Sequence, residues 1–319
     1  MPQSLAEYAS WLDSRRLLWP EVPPAEPLKA TPFTRPLAGI RAVTFEVYGT
    51  LLRITGGRLL LEGPDKLSLQ IALEKTIEEF NVWNFLFRKP GPAWKQVLEQ
   101  YEKLIAGRRM AAVARQGDLP EVDAAADVWR KLIEQWDRKE FKYDEQSLGD
   151  RDALAQKIAY YFHACLQGIE SAPGAGQTVE RISSAGFVVG LLTDAQCFTA
   201  LQLRRMMADS GQPVGIEAID QSASVFSFQE GLRKPSPSLF RRSIERFRER
   251  GIEPAEILHV SSRLKDDLAV ARRHGMRTAL YAGDSESLIA TKSEVRDPAL
   301  APDRLITGLG QLADVLGIG

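Results

Sequence analysis

The chain has 319 residues, 44% of them hydrophobic and 26% charged, which is enough apolar material for one large or two modest folded domains and argues against disorder. Its 41 Lys and Arg against 42 Asp and Glu leave a net charge of -1, without the positive excess that general nucleic-acid or polybasic membrane binding requires. Only Cys165 and Cys197 are present, so neither a disulfide framework nor a cysteine zinc site is expected, and no apolar run reaches the roughly 20 residues of a membrane helix. A cytoplasmic protein with no nucleic-acid or membrane partner is the expectation.

Residues 4–18 read as a short helix capped by Ser4. Six of the eighteen prolines then fall between Pro20 and Pro36, a density that forbids helix and favours an extended connector. Residues 1–37 are therefore expected to form an arm outside the main fold.

Ile40 to Val47 is a short β-branched apolar run that reads as a buried strand, ended by Tyr48, Gly49 and Thr50. From about residue 66 to 168 the period becomes helical. Leu69, Leu73, Ile77 and Phe80 form one stripe, and Val97, Tyr101 and Ile105 belong to a second. Trp129, Ile133 and Trp136 belong to a third, and Leu154, Ile158, Phe162 and Cys165 form a fourth. Four such helices without an intervening strand predict a small helical domain over residues 54–170.

Strand and helix alternate again after Gly174. Strands are predicted at 187–192, near 215–219, at 257–260, 277–281 and 305–306, with helices at 176–185, 198–209, 236–250, 264–274 and 308–316. This rhythm predicts an α/β fold, a three-layer, doubly wound parallel sheet made from residues 38–53 and 171–319, carrying the helical domain as an insertion. Chemistry in such sheets sits at the carboxyl ends of the strands.

Polar groups recur at those ends. Glu46 closes the first strand, and a carboxylate there is costly unless paired or functional. Thr193 and Asp194 follow the second strand, Lys234 opens a helix after Gly231, and Ser261, Ser262, Arg263, Asp266 and Asp267 follow the strand at 257–260. Each has a plain alternative: a helix cap for Thr193, a solvated lysine for Lys234, a first-turn acid pair for Asp266 and Asp267. His163, His259 and His274 pair with no acid or cysteine at ligand spacing and are expected to be core or surface residues. Trp83, Phe85, Phe87 and Arg88 form an aromatic and cationic cluster in the helical segment.

In order and type, these residues resemble the haloacid dehalogenase-like (HAD) superfamily of hydrolases. Glu46-Val47-Tyr48-Gly49-Thr50 stands for its Asp-x-(Asp or Tyr)-Gly-Thr motif, and Thr193 for its second-motif Ser or Thr. Gly231-Leu232-Arg233-Lys234-Pro235 carries the third-motif lysine, and Ser261 to Asp267 with Gly275-Met276 match the fourth. Thr193 follows Glu46 by 147 residues whereas Lys234 follows Thr193 by only 41, so the resemblance implies a helical cap inserted between the first two motifs.

What the resemblance implies for the site is specific. Glu46 would be nucleophile or metal ligand, Tyr48 would hold the general-acid position, Thr193 would donate to the transferred group, and Lys234 would stabilise charge. Gly49, Thr50, Asp194, Ser261, Ser262, Arg263 and Arg88 would contact substrate, a small phosphorylated or otherwise anionic metabolite. Mg²⁺ is the implied cofactor, with Glu46, Asp266 and Asp267 as oxygen ligands and the Arg263 guanidinium as a rival for its place.

Departures from the family pattern leave three readings open. Glutamate replaces the attacking aspartate and reaches about one methylene further, where misplacement by roughly 1 Å can cost on the order of 10²-fold in rate. Tyr48 and the paired serines fit the metal-free dehalogenase branch, but Thr193-Asp194, Arg263 and Phe240 replace that branch's Ser-Asn, Asn and Tyr. The readings are a hydrolase of small anionic metabolites with reduced activity, a binding or regulatory protein that keeps the pocket without the chemistry, and a 2-haloacid dehalogenase.

Overall fold

A computed structural model describes residues 2–82, 91–209 and 212–318. Six strands form one sheet: β1 (Ala42–Phe45), β2 (Val188–Thr193), β3 (Val225–Phe226), β4 (Ile257–Ser261), β5 (Arg277–Tyr281) and β6 (Arg304–Ile306). Their order across the sheet is β6-β5-β4-β1-β2-β3, with every pairing parallel. All four residues of β1 and all five of β4 are buried, as expected of parallel strands covered by helices on both faces. Phe45 pairs with Val260 on one side and Leu191 on the other, so the ends of β1, β2 and β4 open side by side.

The predicted strand near 215–219 is instead a turn through Gly215 (φ +74°), joined to the sheet by a bridge from Ile219 to Val189. Val225–Phe226 takes the edge position. Ile216 and Ile219 still bury their side chains in the core, which is why their apolarity imitated a strand.

Helix α1 (Leu5–Ser14) begins with a capping box in which Ser4 and Glu7 satisfy each other's backbone amides. The longer inserted helices are α2 (Lys66–Glu79), α3 (Ala93–Ala111), α4 (Ala125–Asp137) and α5 (Arg151–Leu166), with a single turn at Glu145–Leu148 before the last. Their stripes meet in a core containing Tyr101, Trp129, Trp136 and Phe162. The chain leaves and re-enters the sheet domain through the antiparallel pair Leu52–Ile54 and Ile169–Ser171.

The arm expected to lie outside the fold is bound to both halves of it. Tyr8, Ala9 and Leu12 are buried in the helical core, because α1 has an apolar face to cover. The proline-rich stretch is extended but pinned: the Pro23 carbonyl accepts from Arg53 (2.8 Å), and Phe33 bridges to Leu305.

Candidate active site

Glu46 is the first residue past β1, its amide still donating to the Val260 carbonyl at 3.0 Å. The chain then turns sharply, with the Val47 carbonyl accepting from the amides of Leu51 and Leu52, both at 2.9 Å. Gly49 makes this possible at φ +84°, where a Cβ would meet Gly57 O at 2.7 Å and Ser262 Oγ at 2.8 Å. Thr50 Oγ1 accepts from the Ser262 amide at 3.2 Å, tying this loop to the one after β4.

Around Glu46 the structure gathers a buried ionic cluster. Thr193 Oγ1 donates to Glu46 Oε1 at 2.5 Å, and the Lys234 ammonium donates to Glu46 Oε2 (2.8 Å), Asp267 Oδ2 (2.7 Å) and the Leu192 carbonyl (2.6 Å). Arg263 contacts Asp194 Oδ2 at 2.7 Å and lies 3.6 Å from Glu46 Oε2. Asp194 Oδ1 in turn accepts from the Lys234 amide at 2.9 Å. The side chains of Lys234, Glu46 and Asp267 have no solvent exposure. Charges so deep persist only if each is paired and hydrogen-bonded.

The electrostatics follow from this pairing. Burial pushes the Lys234 ammonium down, but Asp267 and Glu46 together outweigh it and hold its pKa above the ordinary lysine value. Burial pushes Asp267 up, and His259, Lys234 and Arg263 more than reverse this, leaving it well below the carboxylate range. His259, expected to be a plain core residue, is a member of the cluster: Nε2 lies 2.7 Å from Asp267 Oδ1 and Nδ1 2.7 Å from Thr44 Oγ1. Its only signal in the sequence is a histidine inside an otherwise apolar strand, which must find a partner.

The donor set does not fit Mg²⁺. Asp267 spends one oxygen on His259 and the other on Lys234. Glu46 folds back so that Oε1 accepts from Val47 N (3.0 Å) as well as Thr193, and Arg263 brings a fixed charge to Oε2. Asp266, the third expected ligand, is exposed. Among the described residues no group of three or more His, Cys, Asp or Glu side chains is placed to hold a metal. The metal set Glu46, Asp266 and Asp267 is therefore corrected to an ion-paired cluster, because two cations already occupy the carboxylates.

Tyr48 is buried with its hydroxyl donating to Gln202 Oε1 (2.6 Å) and bonded to Thr199 Oγ1 (2.9 Å). Burial drives its pKa above the ordinary tyrosine value, so it is no acid or base near neutrality. A cavity of about 450 Å³ opens over the cluster, with Tyr48, Asp194, Lys234, Arg263 and Asp266 among its walls. Gly49, Thr50, Ser261 and Ser262, read from the sequence as substrate-facing, are not among those walls: Ser261 Oγ accepts from the Arg263 amide, and Ser262 Oγ packs against Gly49. Arg88, with Trp83, Phe85 and Phe87, lies outside the described residues. The cavity also takes Arg109, Glu121 and His163 from the helical insertion and Arg233 from the lysine loop, none of which the sequence singled out as a site residue.

The HAD-hydrolase-like family matches residues 231–312, the lysine loop through the last strand. Glyceraldehyde 3-phosphate phosphatase from Pyrococcus furiosus is 26% identical over 166 residues, 51% of this chain and 61% of that protein, so the chain spans under two thirds of this relative. The crystal structure of 2-haloacid dehalogenase from Pseudomonas syringae pv. Tomato DC3000 has a TM-score of 0.51 at 20% identity, covering 87% of this chain and 98% of that one. A magnesium-bound HAD-hydrolase, YfnB from Bacillus subtilis, has a TM-score of 0.45 at 17% identity over 88% and 99% of the two chains. The chain thus carries a HAD-hydrolase-like segment at residues 231–312, and its central parallel sheet has the fold of the haloacid dehalogenase structure.

Proposed function

We propose that this chain hydrolyses a small phosphorylated or otherwise anionic metabolite, slowly and without a metal. Glu46 is the carboxylate through which hydrolysis runs, with Thr193 and Lys234 orienting it. Lys234 and Arg263 supply the positive charge that receives the anion. The observation that carries this reading is the convergence of Thr193, Lys234 and Arg263 on one carboxylate beneath a polar cavity. The relative's name, a phosphatase, favours a phosphate ester over a haloacid.

A second reading, a binding or regulatory protein, is favoured by one observation. Glu46 has no solvent exposure and both its oxygens are engaged, so no lone pair is free to attack without rearrangement. Turnover of p-nitrophenyl phosphate and of a 2-haloacid, with and without Mg²⁺, separates the two. Slow ester hydrolysis that disappears in Glu46→Gln and is unaffected by Mg²⁺ supports the hydrolase. Silence in both wild type and Glu46→Asp favours the binder, and haloacid turnover alone returns the dehalogenase reading.

A further inference from the structure

Glu121 belongs to the helical insertion but is clamped to the loop that carries Lys234. Leu119 and Pro120 pair antiparallel with Arg233 and Leu232, and the Glu121 amide donates to the Gly231 carbonyl at 2.9 Å. Its side chain accepts from Ser227 Oγ (2.8 Å) and from the Asp123 amide (3.1 Å). Ser227 Oγ also accepts from Ala195 N at 2.9 Å, joining Glu121 to the loop after β2.

The charge on the cavity wall is balanced, with five cationic and five carboxylate side chains. A balanced wall has no surplus to receive an anion. Of the carboxylates, Glu62 is paired with Arg109 (2.8 Å), Asp123 with Arg109 (3.2 Å) and Arg233 (3.6 Å), and Asp194 with Arg263 (2.7 Å). Asp266 is exposed and solvated. Glu121 alone is half-buried and without a cation among the described residues; its partners are a hydroxyl and an amide. The charged groups acting on it are Asp194 across the cavity and Asp123 on its own segment, while Arg233 on the paired strand contacts Asp123 at 3.6 Å.

We propose that the pocket takes its anion together with a proton, and that Glu121 is the residue that holds this proton. The proton comes from solvent and neutralises the carboxylate, which gives the wall the unit of positive charge that Arg263 and Arg233 then present to the ligand. Burial already pushes the Glu121 carboxyl up to about 7, against the pull of the Ser227 hydrogen bond and with the help of Asp194. The inference rests on the anion-pocket reading above and names its ligand as a dianion of the phosphate or sulfate class.

Sulfate is the probe, because it does not titrate near neutrality. Calorimetric titration at about pH 8 in buffers of different ionisation enthalpy should show wild type taking up close to one proton per sulfate. Affinity should fall about tenfold per pH unit above 7. Glu121→Gln should take up none and bind with flat affinity from about pH 6 to 9. Equal uptake in wild type and Glu121→Gln, or wild-type binding without proton uptake, overturns the inference and leaves the anion pocket standing. Absence of sulfate binding to wild type at about pH 6 overturns both. Should Glu121→Gln fail to fold, Ser227→Ala carries the test: loss of its hydrogen bond should move the fall in affinity to higher pH, and an unmoved midpoint is against the proposal.

Discussion

The Lys234 ammonium lies 2.8 Å from the Glu46 carboxylate, and neither side chain has any contact with solvent. Lys234 also neutralises Asp267. Lys234 thus bridges two buried carboxylates that follow adjacent strands, with Arg263 beside Glu46 and His259 beside Asp267.

Lys234→Met is therefore expected to destabilise the protein by about 3–5 kcal/mol, since it strands two carboxylates in a dry site. Adding Glu46→Gln should recover part of the loss. Urea unfolding of the two single variants and the double variant measures this, and non-additivity is the signature of the pair.

Arg263 stands between Asp194 and Glu46 as a fixed positive charge. Wild-type melting temperature should not respond to Mg²⁺. Arg263→Ala frees Asp194 Oδ2 and removes the fixed charge beside Glu46 Oε2, which Lys234 still holds, and should acquire a Mg²⁺-dependent rise in Tm. A Mg²⁺ response in wild type would contradict the donor-set argument.

Tyr48→Phe tests whether the tyrosine acts chemically. Its hydroxyl is spent on Thr199 and Gln202, so the change should lower stability by about 1–2 kcal/mol and leave any turnover within about twofold. A loss of 10²-fold or more, the scale of a missing general acid, would assign it a role in proton transfer.

Two carboxylates should pull the pH–stability profile in opposite directions. Asp267 is held below its unfolded value, so its contribution is present above about pH 4 and is lost as the pH falls toward its folded pKa. Asp267→Asn should therefore flatten the acid limb of a denaturation series.

Glu121 is raised to about 7, so the folded state weakens as the pH rises from its unfolded value, near 4.5, through 7, by at most about 3 kcal/mol. Glu121→Gln should remove that slope and be more stable than wild type at about pH 8. Equal slopes between about pH 5 and 8 would mean that Glu121 is solvated.

Periodicity and punctuation made most of the fold legible. Buried β-branched runs located five of the six sheet strands, and stripes at helical spacing located the insertion, because side-chain burial repeats with the local geometry. Val225–Phe226 escaped, since two residues carry no period, and the turn at Gly215 passed for a strand because its isoleucines are buried for tertiary reasons. Glu46, Thr193, Lys234 and Asp267 could be named from residue types at strand ends, where a polar group after an apolar run is conspicuous.

Their pairing was another matter. Whether Asp267 faces a cation or a metal depends on where His259 and Lys234 point, and His259 is separated from its partner by a loop with no pattern of its own. Glu121 sits in a segment whose composition is unremarkable, and it joins the site only because Leu119 and Pro120 pair with residues more than a hundred positions away. Chain order and side-chain type carry the strands, the helices and the list of reactive groups, because these follow from short-range sterics and burial. Which carboxylate is neutralised, and by what, follows from distances of a few ångströms between remote segments, and only the folded chain sets those.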